Sequence, residues 1–351
     1  MADVRVAEAA HHWAGRLIAN GVPYGDFVAT TARCASWADW LPAWTETAQA
    51  HATLAQEALA RGATLSAGEA WLRAAVAYHF SKFVWMLDRE LHARNTELAV
   101  AAMRAAHQLL DPTAERIEAP IDEGTVIANL RRPAQPSPAP LVVLIPGLDS
   151  TKEEFFWWES VFLARGMATL SLDGPGQGET GLRMRIRPDY EVAVAAALDA
   201  VAHRPELDGE RIAAVGVSLG GYYVVRAAAF EPRIAALAGI SGPYDFAAGW
   251  DSLPELTRET IAHATGADGV EQARERAAAL NLDGVAGRVR APCLVLTGRL
   301  DRVIAWEQTK RIADAVAGSE WVLYDDGTHV CNNIPYKYRP LVADWVRARL
   351  G

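Results

Sequence analysis

The stretch Gly216-Val217-Ser218-Leu219-Gly220-Gly221 constrains this chain more than any other, because of its flanks. Ahead of it, Arg211-Ile212-Ala213-Ala214-Val215 is short, apolar and partly β-branched, which predicts a buried strand. Behind it, Tyr222 to Phe230 is rich in Ala and Val with no breaker, which predicts a helix. A serine in G-x-S-x-G between a strand and a helix sits on a turn too tight for a Cβ at either flanking glycine. Such a turn pushes the Ser218 hydroxyl out at the end of a sheet and aims the Leu219 backbone N–H toward the place where an oxyanion forms.

A serine hydroxyl becomes a nucleophile only beside a base, and the base needs a carboxylate to fix its tautomer. On a strand-turn-helix scaffold of this kind the chain order is Ser, then Asp or Glu, then His. Two histidines follow Ser218. His263 lies in a helical stretch with no strand ahead of it, whereas His329 follows the apolar run Trp321-Val322-Leu323-Tyr324 through a Gly-containing loop. The spacing therefore points to His329. The run Cys293-Leu294-Val295-Leu296-Thr297-Gly298 predicts a buried strand, and Asp301 directly after it stands at the carboxyl end of the penultimate strand. Asp325 and Asp326 are rival acids, but both lie too near His329 in sequence to approach it from a separate strand.

The same chemistry calls for a second backbone donor from the loop after an early strand. Leu141 to Ile145 predicts a central strand. Gly147 then allows a turn that aims the Leu148 N–H inward, so Leu148 and Leu219 are the expected oxyanion-hole donors.

From Leu141 onward, apolar runs at Leu141–Ile145, Ala168–Leu172, Ile212–Val215, Ala235–Ile240, Cys293–Thr297 and Trp321–Tyr324 alternate with helical segments. That alternation predicts the α/β class, with a mostly parallel, doubly wound sheet. Ile117–Ala119 and Thr125–Leu130 read as an edge hairpin. Pro133, Pro136, Pro138 and Pro140 mark an exposed connector, and the span 242–287 reads as a helical insertion near the carboxyl ends of the strands. Residues 1–112 are expected to form an all-helical domain, with apolar positions such as Leu72, Ala75, Val76, Phe80, Phe83 and Val84 at helical spacing; the catalytic domain is expected over 113–351. The tryptophans of the first domain (Trp13, Trp37, Trp40, Trp44, Trp71, Trp85) read as core, with lining of an aromatic pocket under the helical roof as the alternative. Tyr222 and Tyr223 read as helix core, and His79 as a surface or capped histidine.

Three segments together resemble one branch of the α/β-hydrolase superfamily. They are Pro146-Gly147-Leu148-Asp149-Ser150-Thr151-Lys152-Glu153-Glu154, Asp173-Gly174-Pro175-Gly176-Gln177-Gly178-Glu179 and the Ser218 turn. The branch is that of the 2,6-dihydroxypseudooxynicotine hydrolase-like enzymes, which holds a carbon–carbon bond hydrolase and hydrolases of polyketide and other natural-product pathways. The resemblance runs through most of the chain and implies an α/β-hydrolase fold with an N-terminal helical cap. It also implies a Ser218-Asp301-His329 triad with an oxyanion hole at Leu148 and Leu219, and a homodimer. Pro146 stands where many relatives carry Gly or His. The carbon–carbon hydrolase uses a further acid after the strand that follows the elbow helix; here Leu253 aligns there, and Asp245, Asp251 and Glu255 are the nearby candidates.

Composition fits an enzyme acting on a small molecule. The 351 residues suffice for a catalytic domain and one small extra domain. A net charge of −9 with no basic run argues against nucleic acid or an anionic membrane as partner. Met1 to Glu8 lacks a signal-peptide pattern, and no apolar stretch approaches a membrane span. Cys34, Cys293 and Cys331 form no spacing pattern and suit a reducing cytoplasm; no metal or cofactor is expected. Two chemistries follow for the same triad: hydrolysis of an ester, thioester or ketone-activated C–C bond through an acyl-enzyme, or elimination or cyclisation with His329 as base.

Overall fold

The computed structural model describes residues 3–135 and 137–351. Met1 and Ala2 of the N-terminal segment and Pro136 of the proline-rich connector lie outside the described residues. The chain divides into two compact units: one takes in the residues up to Ala114 together with Glu153–Trp157, and the other takes in Glu115–Lys152 and Trp158–Gly351.

The first unit is helical: α1 (Val4–Ala19), α2 (Tyr24–Thr31), α3 (Trp40–Ala60), α4 (Thr64–Lys82) and α5 (Arg89–Leu110). Side chains start two of them: Asp3 accepts from the Arg5 N–H, and Asp88 from the N–H groups of Glu90 and Leu91. α4 packs against both α3 and α5, and its second half is buried on all sides, which accounts for its lack of a polar face. Trp37, Trp40 and Trp44 are wholly buried; the Trp40 indole donates to the Phe80 carbonyl at 3.0 Å.

His79 departs from the surface position its sequence context suggests. It is fully buried in this unit, with Nε2 3.0 Å from Glu154 Oε2. Arg16 holds the same carboxylate through two bonds of 2.7 and 2.8 Å, and the Asn20 amide donates to it at 2.6 Å. Burial alone would raise the Glu154 carboxyl pKa, but the Arg16 guanidinium and the His79 ring outweigh it and hold it well below the carboxylate range. Burial pushes the His79 imidazole down, against the pull of Glu154. Both groups thus bind protons less readily when folded than when unfolded, so stability rises with pH across their windows. The loss on acidification begins with His79 as pH falls through its ordinary value near 6.5, and Glu154 adds to it below 4.5. Removing one partner of a buried pair typically costs about 3–5 kcal/mol. Glu154→Ala is therefore expected to lower unfolding stability by roughly that amount in urea titrations read by tryptophan fluorescence. An unchanged midpoint would contradict this.

The second unit is built on an eight-stranded sheet in the order β1-β2-β4-β3-β5-β6-β7-β8. Its strands are β1 (Glu115–Ile121), β2 (Gly124–Arg131), β3 (Ala139–Ile145), β4 (Ala168–Asp173), β5 (Leu207–Val217), β6 (Ile234–Ile240), β7 (Cys293–Gly298) and β8 (Glu320–Tyr324). The β1-β2 hairpin pairs antiparallel onto β4, and all other pairings are parallel. β3 is buried at every position, as a central parallel strand covered on both faces must be. The helices between strands are α6 (Phe156–Leu163), α7 (Gly178–Gly181, one turn), α8 (Glu191–Val201), α9 (Leu219–Phe230), α10 (Glu255–Thr265), α11 (Val270–Ala278) and α12 (Trp306–Ala315), and α13 (Pro335–Leu350) follows the last strand. Pro140, read from sequence as part of an exposed connector, lies inside β3 instead, where the register against β5 shifts between Pro140 and Leu141. A proline offers no N–H to a ladder, and such a break in register is where a sheet tolerates one.

Candidate active site

β5 ends at Val217, and the next residue, Ser218, takes φ 55° and ψ −126°, a left-handed conformation rare for a side-chain-bearing residue. The turn is as tight as its sequence requires. A Cβ on Gly216 would lie 2.1 Å from the Gly220 carbonyl oxygen, and one on Gly220 2.2 Å from that of Ile145. Backbone occupies the space that any larger residue needs.

β7 ends at Gly298, and the loop after it brings Asp301 to the same rim of the sheet. Its Oδ1 accepts from the N–H groups of Val303 and Ile304, both at 2.9 Å, while Oδ2 lies 2.8 Å from His329 Nδ1. His329 follows β8, and its Nε2 stands 3.0 Å from Ser218 Oγ. With Nδ1–H donating to the carboxylate, the Nε2 lone pair faces the serine hydroxyl. The Asp301 side chain is fully enclosed, so the carboxylate meets the imidazole with little competition from water. The structure thus brings Ser218, Asp301 and His329 together from three separate strand ends. The rival acids are engaged elsewhere: Asp325 with Arg299 and Asp326 with Lys337.

Leu148 and Leu219 are buried, and Gly147 packs against the serine: a Cβ there would lie 2.9 Å from Ser218 Cβ. Among the described residues, no carbonyl or side chain accepts from the N–H of Leu148 or of Leu219. Backbone N–H groups without a protein acceptor beside a serine are suited to an incoming anion.

Each of the three acids considered for carbon–carbon chemistry has its own local surroundings. Asp251 pairs with Arg274 at the surface, Glu255 is exposed at the start of α10, and Asp245 Oδ1 accepts from the Ala247 N–H. Leu253 is buried and apolar. Tyr222 and Tyr223 are wholly buried, the latter stacked on Tyr190 at 3.8 Å. The described residues contain no cluster suited to a metal ion and no helix long and apolar enough to cross a membrane; the three cysteines are buried and free.

One contributor escapes sequence reasoning. Ser241, with φ 50°, bonds Thr297 Oγ1 at 2.8 Å and accepts from the Val330 N–H at 3.1 Å, fixing the loop that carries His329. Only its place directly after β6 hints at this. Ser241→Ala leaves the buried Val330 N–H unpaired, so a stability loss of about 1–3 kcal/mol is expected in denaturant titrations. No loss would show the loop to be held by other contacts.

Comparisons with known proteins place the chain in a family. Residues 29–326 match the family described as esterase FrsA-like. The 2,6-dihydropseudooxynicotine hydrolase of Paenarthrobacter nicotinovorans is 35% identical over 336 residues, covering 95% of this chain and 90% of the relative. The crystal structure of the 2,6-dihydroxy-pseudo-oxynicotine hydrolase superposes with a TM-score of 0.88 at 34% identity, over 96% of this chain and 95% of the other. A 20-hydroxy-prefusarin hydrolase of Gibberella moniliformis is 36% identical over 63% of this chain, a match that spans 54% of that relative's length. The chain has the α/β-hydrolase fold, is an enzyme of the hydrolase class, and belongs to the FrsA-like esterase family.

Proposed function

We propose that this enzyme is a serine hydrolase that cleaves an ester, thioester or ketone-activated C–C bond of a small-to-medium organic substrate, of the kind handled in natural-product metabolism. The hydrogen-bonded line from Asp301 through His329 to Ser218, at 2.8 and 3.0 Å, carries this reading. His329 Nε2 takes the Ser218 proton as Oγ bonds to the substrate carbonyl carbon, and the oxyanion rests on the Leu148 and Leu219 N–H groups. The imidazolium returns the proton to the leaving oxygen, sulfur or enolate carbon. Water, deprotonated by the same imidazole, then displaces Ser218 from the acyl group. With Asp251 paired to Arg274, Glu255 exposed and Leu253 apolar, no step is assigned to an auxiliary acid.

The relatives named for hydrolysis of 2,6-dihydropseudooxynicotine and 20-hydroxy-prefusarin support this class of substrate. The test is turnover of a p-nitrophenyl ester, an acyl thioester, an aryl β-diketone and a β-acetoxy ketone in heavy-oxygen water. Solvent oxygen in the released carboxylate is expected. A β-acetoxy ketone that loses acetate without taking up solvent oxygen, with no hydrolysis of the others, would establish elimination instead.

A further inference from the structure

We infer that Gln177 is the positioning residue of the oxyanion hole. Resting on the reading just given, this assigns a task to the Asp173-Gly174-Pro175-Gly176-Gln177-Gly178-Glu179 segment, which the triad leaves without one. Gln177 is buried, and its Nε2 donates to the carbonyls of Pro146 at 2.6 Å and Gly147 at 2.9 Å. The amide cannot be the other way round. Its Oε1 accepts from the Gly174 N–H at 2.9 Å and from the Tyr190 hydroxyl at 2.6 Å, and two carbonyls can only be met by a donor.

The Gly147 carbonyl and the Leu148 N–H belong to one planar trans peptide and point in opposite directions. Fixing the carbonyl toward Gln177 therefore turns the Leu148 N–H away from Gln177. The peptide also abuts Ser218: a Cβ on Gly147 would lie 3.3 Å from its Oγ. Without the Nε2 bonds, the peptide is free to rotate about its flanking dihedrals, and a donor that must be preorganised becomes one that must be ordered during the reaction.

The same segment grips the far end of the loop. Asp173 accepts from the Lys152 backbone N–H at 2.8 Å and its ammonium at 2.9 Å, and Glu179 takes the same ammonium at 3.0 Å. Asp173 and Glu179 thus anchor the end of the 146–152 loop, while Gln177 sets the one peptide plane that matters for charge.

The test uses Gln177→Ala and Gln177→Glu in the full-length enzyme at pH 8, beside Ser218→Ala. The Glu variant retains an acceptor for Gly174 and Tyr190 and loses the donor. Two readings are taken: kcat and KM on an ester the enzyme turns over, and the second-order rate at which a fluorophosphonate phosphonylates Ser218. In that reaction the P–O bond forms, fluoride leaves and His329 takes the proton. Removing an oxyanion donor outright costs about 10²–10³ in kcat, so a misaligned one is expected to cost roughly 10–100-fold in both kcat and labelling rate. KM should move less than about threefold, and the pH at which labelling reaches half its maximum should not change, because the imidazole is untouched. Full labelling rate and kcat in the Glu variant, or loss of the folded state in both variants, would overturn the inference by leaving Gln177 a structural role only. Wild-type turnover by Ser218→Ala would instead remove the serine-hydrolase reading itself, so the two failures are distinguishable.

Discussion

Ser218→Ala is expected to lower kcat by about 10⁴–10⁶ while leaving the protein folded, the range seen when the nucleophile of a serine triad is removed. The expectation follows from the strained turn. Ser218 holds φ 55° because backbone packs against Gly216 and Gly220, so the methyl of alanine takes the same place without disturbing β5 or α9. What disappears is the 3.0 Å contact with His329 and the hydroxyl proposed to form the acyl bond. Residual catalysis would then come from the proposed Leu148 and Leu219 donors and from binding. Steady-state turnover with a melting curve on the same sample checks this. Retention of a tenth of wild-type kcat would contradict it, because water activated by His329 alone does not reach that rate.

Asp301→Asn should cost about 10⁴-fold in kcat near neutral pH, and the structure says why. The N–H groups of Val303 and Ile304 both point at Oδ1, so an asparagine must keep its carbonyl oxygen there. Its NH₂ is then forced toward His329 Nδ1, which has to become the acceptor. The ring proton moves to Nε2, and the imidazole presents a proton to Ser218 where it needs a lone pair. Stability should change little, since the side chain keeps its volume and its loop bonds. The rival acids supply the comparison: Asp325→Asn and Asp326→Asn break only the surface pairs with Arg299 and Lys337 and should change kcat less than about threefold. A loss of 10⁴ in either, with Asp301→Asn active, would move the acid to the wrong strand end.

Much of the fold is legible in the chain because parallel strands are buried on both faces. Runs such as Leu141–Ile145 and Cys293–Leu296 are apolar throughout, and buried strands occupy them. The three side chains that meet at the rim are readable for a related reason: each lies just past the end of such a run, and parallel strands put those ends on one side. Polar partners are another matter. Nothing in Lys152-Glu153-Glu154 separates a surface charge run from a residue buried against Arg16, 138 positions away. The buried place of His79 is hidden on the same account, because helical spacing reports where apolar groups cluster and not which charge a polar group meets. Ser241 and Gln177 are invisible for a further reason. Each acts on a backbone N–H or carbonyl of a loop distant in sequence, and no local pattern marks such a pairing.

The central claim is that a covalent acyl group passes through Ser218. Rapid-quench mass spectrometry of the peptide spanning the turn, during turnover of a slowly hydrolysed ester, tests it most directly. The account predicts a mass increase equal to the acyl group on Ser218, formed before steady state and accumulating further in Asp301→Asn if that variant deacylates more slowly than it acylates. Sustained turnover with that peptide unmodified at every quench time, and with Ser218→Ala equally active, would contradict it.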